Sequence, residues 1–319
     1  MCLKRDTDVK CLVRVYGSHT EYVIDRNHEL IVLKEHPEAP VLLGRFQNGY
    51  VCTYTPGHAV NYSEATDPSV MALTAEAVGR LHAGNVASIP HKPIIFDVIH
   101  SWLENIPDTY PDERKQKCYE LTGKKDVLRA ELEWFENEVY KTFGKEALMS
   151  EDVCCFCHND LLFGNILYCD RRKVVSLIDW EYSSYGFAPF DIANHFCEWA
   201  GFETEWEKFP SREQQKFFIE KYLKERFEKE PSPETVERWL KLVKWFDLVK
   251  IHYKLYILTV IGLNDCFFDL IYFFGFVLFV FFSFVFFNSV RIFIGVFGLC
   301  FRLLFRLSIL TTQVILLGA

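Results

Sequence analysis

The sequence predicts an α+β fold in two parts, a small antiparallel sheet in front and a larger, mainly helical body behind. Three observations carry that expectation: an Asn48-Gly49 turn beside a strand-type run, an apolar-periodic stretch from Val70 to Ala83, and an H-x-D-x-x-x-x-N loop at His158, Asp160 and Asn165. Asn-Gly supplies the positive backbone dihedrals of a two-residue hairpin. Apolar residues recurring every three to four positions build one face of a helix.

The hairpin centred on Phe46-Gln47-Asn48-Gly49-Tyr50 leads into Val51-Cys52-Thr53-Tyr54, and Thr55-Pro56-Gly57 then interrupts the strand. The helix over 70–83 carries His82, which reads as a packed helix residue. Cys154-Cys155-Phe156-Cys157 reads as a strand entering the His158 loop, and Val174-Val175-Ser176-Leu177-Ile178 as an apolar strand ending on Asp179. Near the end of the body, Pro231-Ser232-Pro233 separates helices expected at Arg226 to Glu230 and Glu234 to Val249.

Phosphoryl transfer needs a carboxylate to hold or deprotonate the acceptor hydroxyl, oxygen ligands for magnesium, and a rigid frame that keeps them in line. Asp160 suits the first role. Asn165, Asp179 and Glu181 suit the second, because Mg²⁺ takes oxygen ligands and retains several waters, so two or three protein donors suffice. Taken singly, Asp160 and Asn165 read more readily as turn or capping residues, as short polar side chains commonly are. The loop, the strand after it and the Asp179-Trp180-Glu181-Tyr182 run together favour the phosphoryl-transfer reading.

This run resembles the choline and ethanolamine kinase family, which shares the protein-kinase-like two-lobed fold with aminoglycoside phosphotransferases. Leu12-Val13-Arg14-Val15-Tyr16-Gly17, Thr20-Glu21 and Asp25-Arg26 are similar to the family's third strand and the start of its next helix. The resemblance implies an incomplete small lobe over residues 1–55 and a large lobe over 56–249. It implies ATP and Mg²⁺ as cofactors, Arg14 on the phosphates with Glu29 orienting it, and Tyr54 at the interlobe strand where the adenine edge meets backbone amides. Asp160 becomes the base, Asn165, Asp179 and Glu181 the metal ligands, Asp191 of Phe190-Asp191-Ile192-Ala193-Asn194-His195 a brace for the catalytic loop, and Glu198 a neighbour of the substrate amine. The expected reaction is phosphorylation of ethanolamine to phosphoethanolamine, the first step of the CDP-ethanolamine route to phosphatidylethanolamine. Glu198-Trp199-Ala200-Gly201 mixes features of both branches of the family, so choline is the alternative substrate.

Two departures set a further alternative, a non-catalytic kinase-like or membrane-anchored protein. In front of the Arg14 strand stand only residues 1–11, with no glycine-rich nucleotide loop, so the small lobe is expected to be cut down. Residues 250–319 form an apolar tail, and Leu270 to Val290 holds no charged residue. Such a run meets the length of about 20 residues that a bilayer-crossing helix needs. The abrupt shift to Phe- and Val-dominated composition favours translated non-coding sequence over a true anchor.

A net charge of −8 argues against a nucleic-acid partner, which shows as a basic patch. The charged start of the chain offers no signal peptide, so a cytoplasmic location with reduced thiols is expected for the eleven cysteines, with membrane association through 270–290 as the alternative. Cys155, Cys157 and His158 suggest zinc only weakly, because a fourth ligand at the usual spacing is missing.

Overall fold

The computed structural model describes residues 10–17, 25–104, 107–122, 125–201 and 205–261. Its front part is a three-stranded antiparallel sheet ordered β1-β3-β2, from β1 (Cys11–Val15), β2 (Leu42–Phe46) and β3 (Gly49–Thr53), with α1 (Arg26–Glu35) between β1 and β2. The register sets Arg14 opposite Tyr50 and Val15 opposite Gly49. A Cβ on Gly49 would stand 2.0 Å from the Arg14 carbonyl oxygen, so glycine there is what lets β1 close onto the turn. Asp25 caps α1 through the amides of Asn27 and His28, and the helix buries Glu29, Leu30, Val32 and Leu33.

A short β4 (His58–Ala59) follows, then α2 (Tyr62–Ala65) and α3 (Pro68–Ala83), the latter capped by Asp67 with proline in its first turn. Helices α4 (Ile95–Glu104), α5 (Glu113–Thr122), α6 (Lys125–Phe143) and α7 (Lys145–Leu148) form one side of the body. The site-bearing strands come next: β5 (Cys154–Cys157), β6 (Ile166–Cys169), β7 (Val174–Leu177) and β8 (Ser184–Phe187). β5 pairs with β8, and β6 lies between β4 and β7, all antiparallel.

The chain ends its described part with α8 (Ala188–Glu198), α9 (Arg212–Phe227) and α10 (Pro233–Ile261). α3 packs on α9 and α8 on α10, and these pairs enclose Trp180, Tyr222, Phe156, Phe187, Phe190, Phe196, Phe218 and Phe246. Each such side chain, fully removed from water, contributes roughly 2–3 kcal/mol of hydrophobic stabilisation before entropy is charged against it.

Two sequence expectations change here. α9 ends at Phe227 rather than Glu230, because Glu228 turns left-handed at φ 51° and stops the helical ladder before the prolines are reached. α10 does not end at Val249, where the composition changes, but continues to Ile261. The apolar run 270–290 lies outside the described residues, among which no helix is long and apolar enough to cross a membrane.

Candidate active site

The loop between β5 and β6 holds His158, Asp160 and Asn165, and a buried carboxylate fixes its start. Asp191 on α8 is fully buried and accepts from the His158 amide at 2.7 Å, the Asn159 amide at 2.8 Å and the His82 ring at 3.0 Å. Burial alone would raise its pKa, but the His82 bond, the His82 and His158 rings and the loop amides hold it below the ordinary aspartate value. Asn159 sits in the left-handed region at φ 64°, which asparagine tolerates better than most residues, and its side chain donates to the Tyr182 carbonyl and the Ser184 hydroxyl.

The other end of the loop is tied to Asp160. Asn165 closes a short 3₁₀ turn (Phe163–Asn165), and its amide donates to both the Asp160 carbonyl and the Asp160 carboxylate at 2.9 Å. Its backbone carbonyl accepts from the Ile178 amide at 3.0 Å, and the Ile178 carbonyl accepts from His158 Nε2 at 2.9 Å. Both backbone groups of the residue before Asp179 are therefore held by the loop. Asp179 turns left-handed at φ 65° and leaves the strand direction just where its carboxylate is needed.

Asp179 and Glu181 meet a second group of charges carried by β1 and α1. Arg14 Nη1 donates to Asp179 and Nη2 to Glu181, each at 2.5 Å, and lies 3.8 Å from Glu29. Arg26 bridges Glu29 at 2.9 Å and Glu181 at 3.0 Å, and its guanidinium stacks over the Tyr16 ring at 4.6 Å. Tyr50, opposite Arg14 in the register, donates to Glu29 at 2.9 Å. Burial raises the Glu181 pKa and the Asp179 charge adds to the shift, with the two arginines opposing. For Arg14, burial pulls downward, yet its three acids hold it above the ordinary arginine value.

The oxygens of Glu29, Asp179 and Glu181 lie within 4.8 Å of one another. An all-oxygen set of this spacing fits a hard divalent cation such as Mg²⁺, with the Asn165 side chain tied to the adjoining loop. The structure thus gathers Arg14, Glu29, Asp179 and Glu181 in one cluster, connects them through Ile178 to Asp160 and Asn165, and sets Asp191 behind the loop. Tyr54 is 43% exposed, with the Lys10 ammonium over its ring, and joins none of these contacts. Glu198 lies at the C-terminal end of α8, beyond the Asp191 turn.

Sequence reasoning gave Arg26 and Tyr50 no role in the site. An Arg-x-x-Glu spacing directly after the Asp25 cap marks the first, since residues three apart share a helix face. Tyr50 emerges only once the strand register is known. His82, read as a packing residue, is buried but also bridges Asp191 and the Tyr222 hydroxyl, which lies 2.9 Å from its Nδ1.

The family model described as choline/ethanolamine kinase matches residues 2–275. A probable ethanolamine kinase A of Dictyostelium discoideum is 29% identical over 71% of this chain and 63% of its own length. The ethanolamine kinase of Drosophila melanogaster is 34% identical over 69% of this chain and 43% of its own. The chain therefore spans less than two thirds of the length of these curated relatives. Among solved structures, an ethanolamine kinase of Plasmodium vivax superposes with a TM-score of 0.67 at 24% identity, covering 81% of this chain and 72% of the other, a likeness of fold.

Proposed function

The chain belongs to the choline/ethanolamine kinase family, and from that premise we propose that it transfers the γ-phosphoryl group of ATP to the hydroxyl of ethanolamine. The observation that carries the reading is the double tie at Ile178, which joins the Asp160–Asn165 loop to Asp179 through two backbone hydrogen bonds. In-line transfer depends on holding a base and the phosphate-side acids in fixed relation, and such positioning supplies most of the catalysis in this reaction class.

Asp160 accepts the hydroxyl proton or aligns the hydroxyl for attack. Asn165 steadies the Asp160 carboxylate by donating to it. Asp179 and Glu181, with Glu29 beside them and Asn165 from the adjoining loop, would hold Mg²⁺, which would neutralise phosphate charge there. Arg14 and Arg26, now paired with the acids, turn to the phosphate oxygens when nucleotide enters, because a guanidinium fork fits phosphate as well as carboxylate. Asp191 keeps the loop amides in place and does not touch the reacting atoms.

The names of the relatives support ethanolamine as acceptor, and Glu198 at the end of α8 is the acid we assign to the substrate ammonium. Residues 1–55 act as the nucleotide-facing lobe, 56–249 as the catalytic lobe, and the location is cytoplasmic. The test is a steady-state assay of the full chain in detergent with ATP, Mg²⁺ and either ethanolamine or choline. A higher kcat/KM for ethanolamine supports the assignment; a higher value for choline transfers it to the other branch of the family.

A further inference from the structure

Behind the catalytic loop lies a second cluster that phosphoryl transfer does not use. Cys155 and Cys157 are two residues apart on β5 and so share a face of the strand. Their sulfurs are 3.9 Å apart, both side chains are buried, and a ligand atom of each lies within 4.8 Å of a ring nitrogen of His82 from α3. The sequence had suggested His158 as the companion of these cysteines, but His158 is turned to the Ile178 carbonyl, and the imidazole beside them comes from 73 residues earlier in the chain.

We propose that His82, Cys155 and Cys157 supply three ligands of a binding site for one thiophilic divalent cation of the zinc type, with a solvent molecule in the fourth position. Zinc sits about 2.3 Å from each thiolate, so two thiolates in a tetrahedral site stand about 3.8 Å apart, close to the separation already present. Two sulfurs and one imidazole are the donor set that soft and borderline cations select over magnesium. Burial pushes the Cys157 thiol up, while a hydrogen bond with Cys157 and the nearby His82 and Arg226 hold Cys155 below the ordinary cysteine value. Binding releases the thiol protons to solvent. The two thiolates then balance the charge of the cation. His82 yields one of its two hydrogen bonds on binding. If the bond to Asp191 is kept, the result is the carboxylate–histidine–metal relay common in metal sites.

The cluster touches the loop twice, because Cys157 directly precedes His158 and Asp191 holds both His82 and the loop amides. Occupancy therefore bears on the placement of Asp160 from behind.

The test is a Co²⁺ titration of the full chain under reducing conditions and in excess Mg²⁺, read by thiolate-to-cobalt charge-transfer absorption. One equivalent of a Mg²⁺-resistant band, displaced by Zn²⁺ and lost in Cys155→Ser and Cys157→Ser but kept in Cys52→Ser and Cys169→Ser, is the expected result. Absence of the band in folded wild-type protein overturns the proposal whether or not the serine variants fold. So does a band that survives in folded Cys155→Ser or Cys157→Ser.

Discussion

The two halves of the site hold their acids in opposite ways. Asp191 is anchored by backbone amides and a buried ring, and it lies wholly out of solvent. Asp179 and Glu181 are paired with long, mobile arginine side chains, and the Asp179 side chain is 33% exposed. Backbone donors cannot leave without unfolding the loop, whereas a guanidinium can rotate from one anion to another. The back of the site is therefore a fixed frame and the front a set of ion pairs that, under the proposed function, incoming phosphates would replace.

The sharpest way to break this picture is to remove the frame. Asp191→Ala leaves two buried loop amides and a buried ring without their acceptor, and is expected to destabilise the fold by about 3–5 kcal/mol, measured by urea unfolding. At the front, Arg14→Met is expected to cost less than about 1 kcal/mol of stability, since partly exposed pairs contribute little, while raising the KM for ATP at least tenfold. An equal stability loss in the two variants would erase the contrast.

Acid provides a third effect. Burial depresses both His36 and His195 to about 4, well under the usual histidine value of 6.5. Between those limits the unfolded chain binds protons that the native rings refuse, so stability rises with pH across the window. Lowering the pH from 7 to 5 is expected to cost about 2 kcal/mol for each ring, seen as a falling urea midpoint, with no comparable loss between pH 7 and 8. A modest effect belongs to Tyr50→Phe, which removes one hydrogen bond to Glu29 and is expected to cost about 1 kcal/mol in the same assay.

The contrast also explains what could be read from the chain. The loop was legible because His158, Asp160 and Asn165 lie within eight residues and Asp179 closes a nearby strand, so local spacing encodes their geometry. The helix over 70–83 was legible for the same reason, period being a local property, whereas the hairpin was legible in place only: its turn residues are Gln47 and Asn48, Gly49 is already paired with Phe46, and neither Asn48 nor Gly49 takes the positive φ expected of an Asn-Gly turn. Tyr50, the His82 bridge and the Arg26 contact with Glu181 were not legible, because the partners lie 21, 109 and 155 residues away, whereas the Arg26–Glu29 pair is local. The α9 terminus was misplaced since a non-glycine residue, Glu228, adopts the left-handed stop.

The central claim is tested most directly by ³¹P NMR of ATP, Mg²⁺ and ethanolamine incubated with wild-type protein and with Asp160→Ala. Wild type is expected to give phosphoethanolamine and ADP, with the rate down by about 10²–10⁴ in the variant and its urea midpoint nearly unchanged. Phosphoethanolamine formed at the wild-type rate by folded Asp160→Ala, or none formed by folded wild type, would contradict the account.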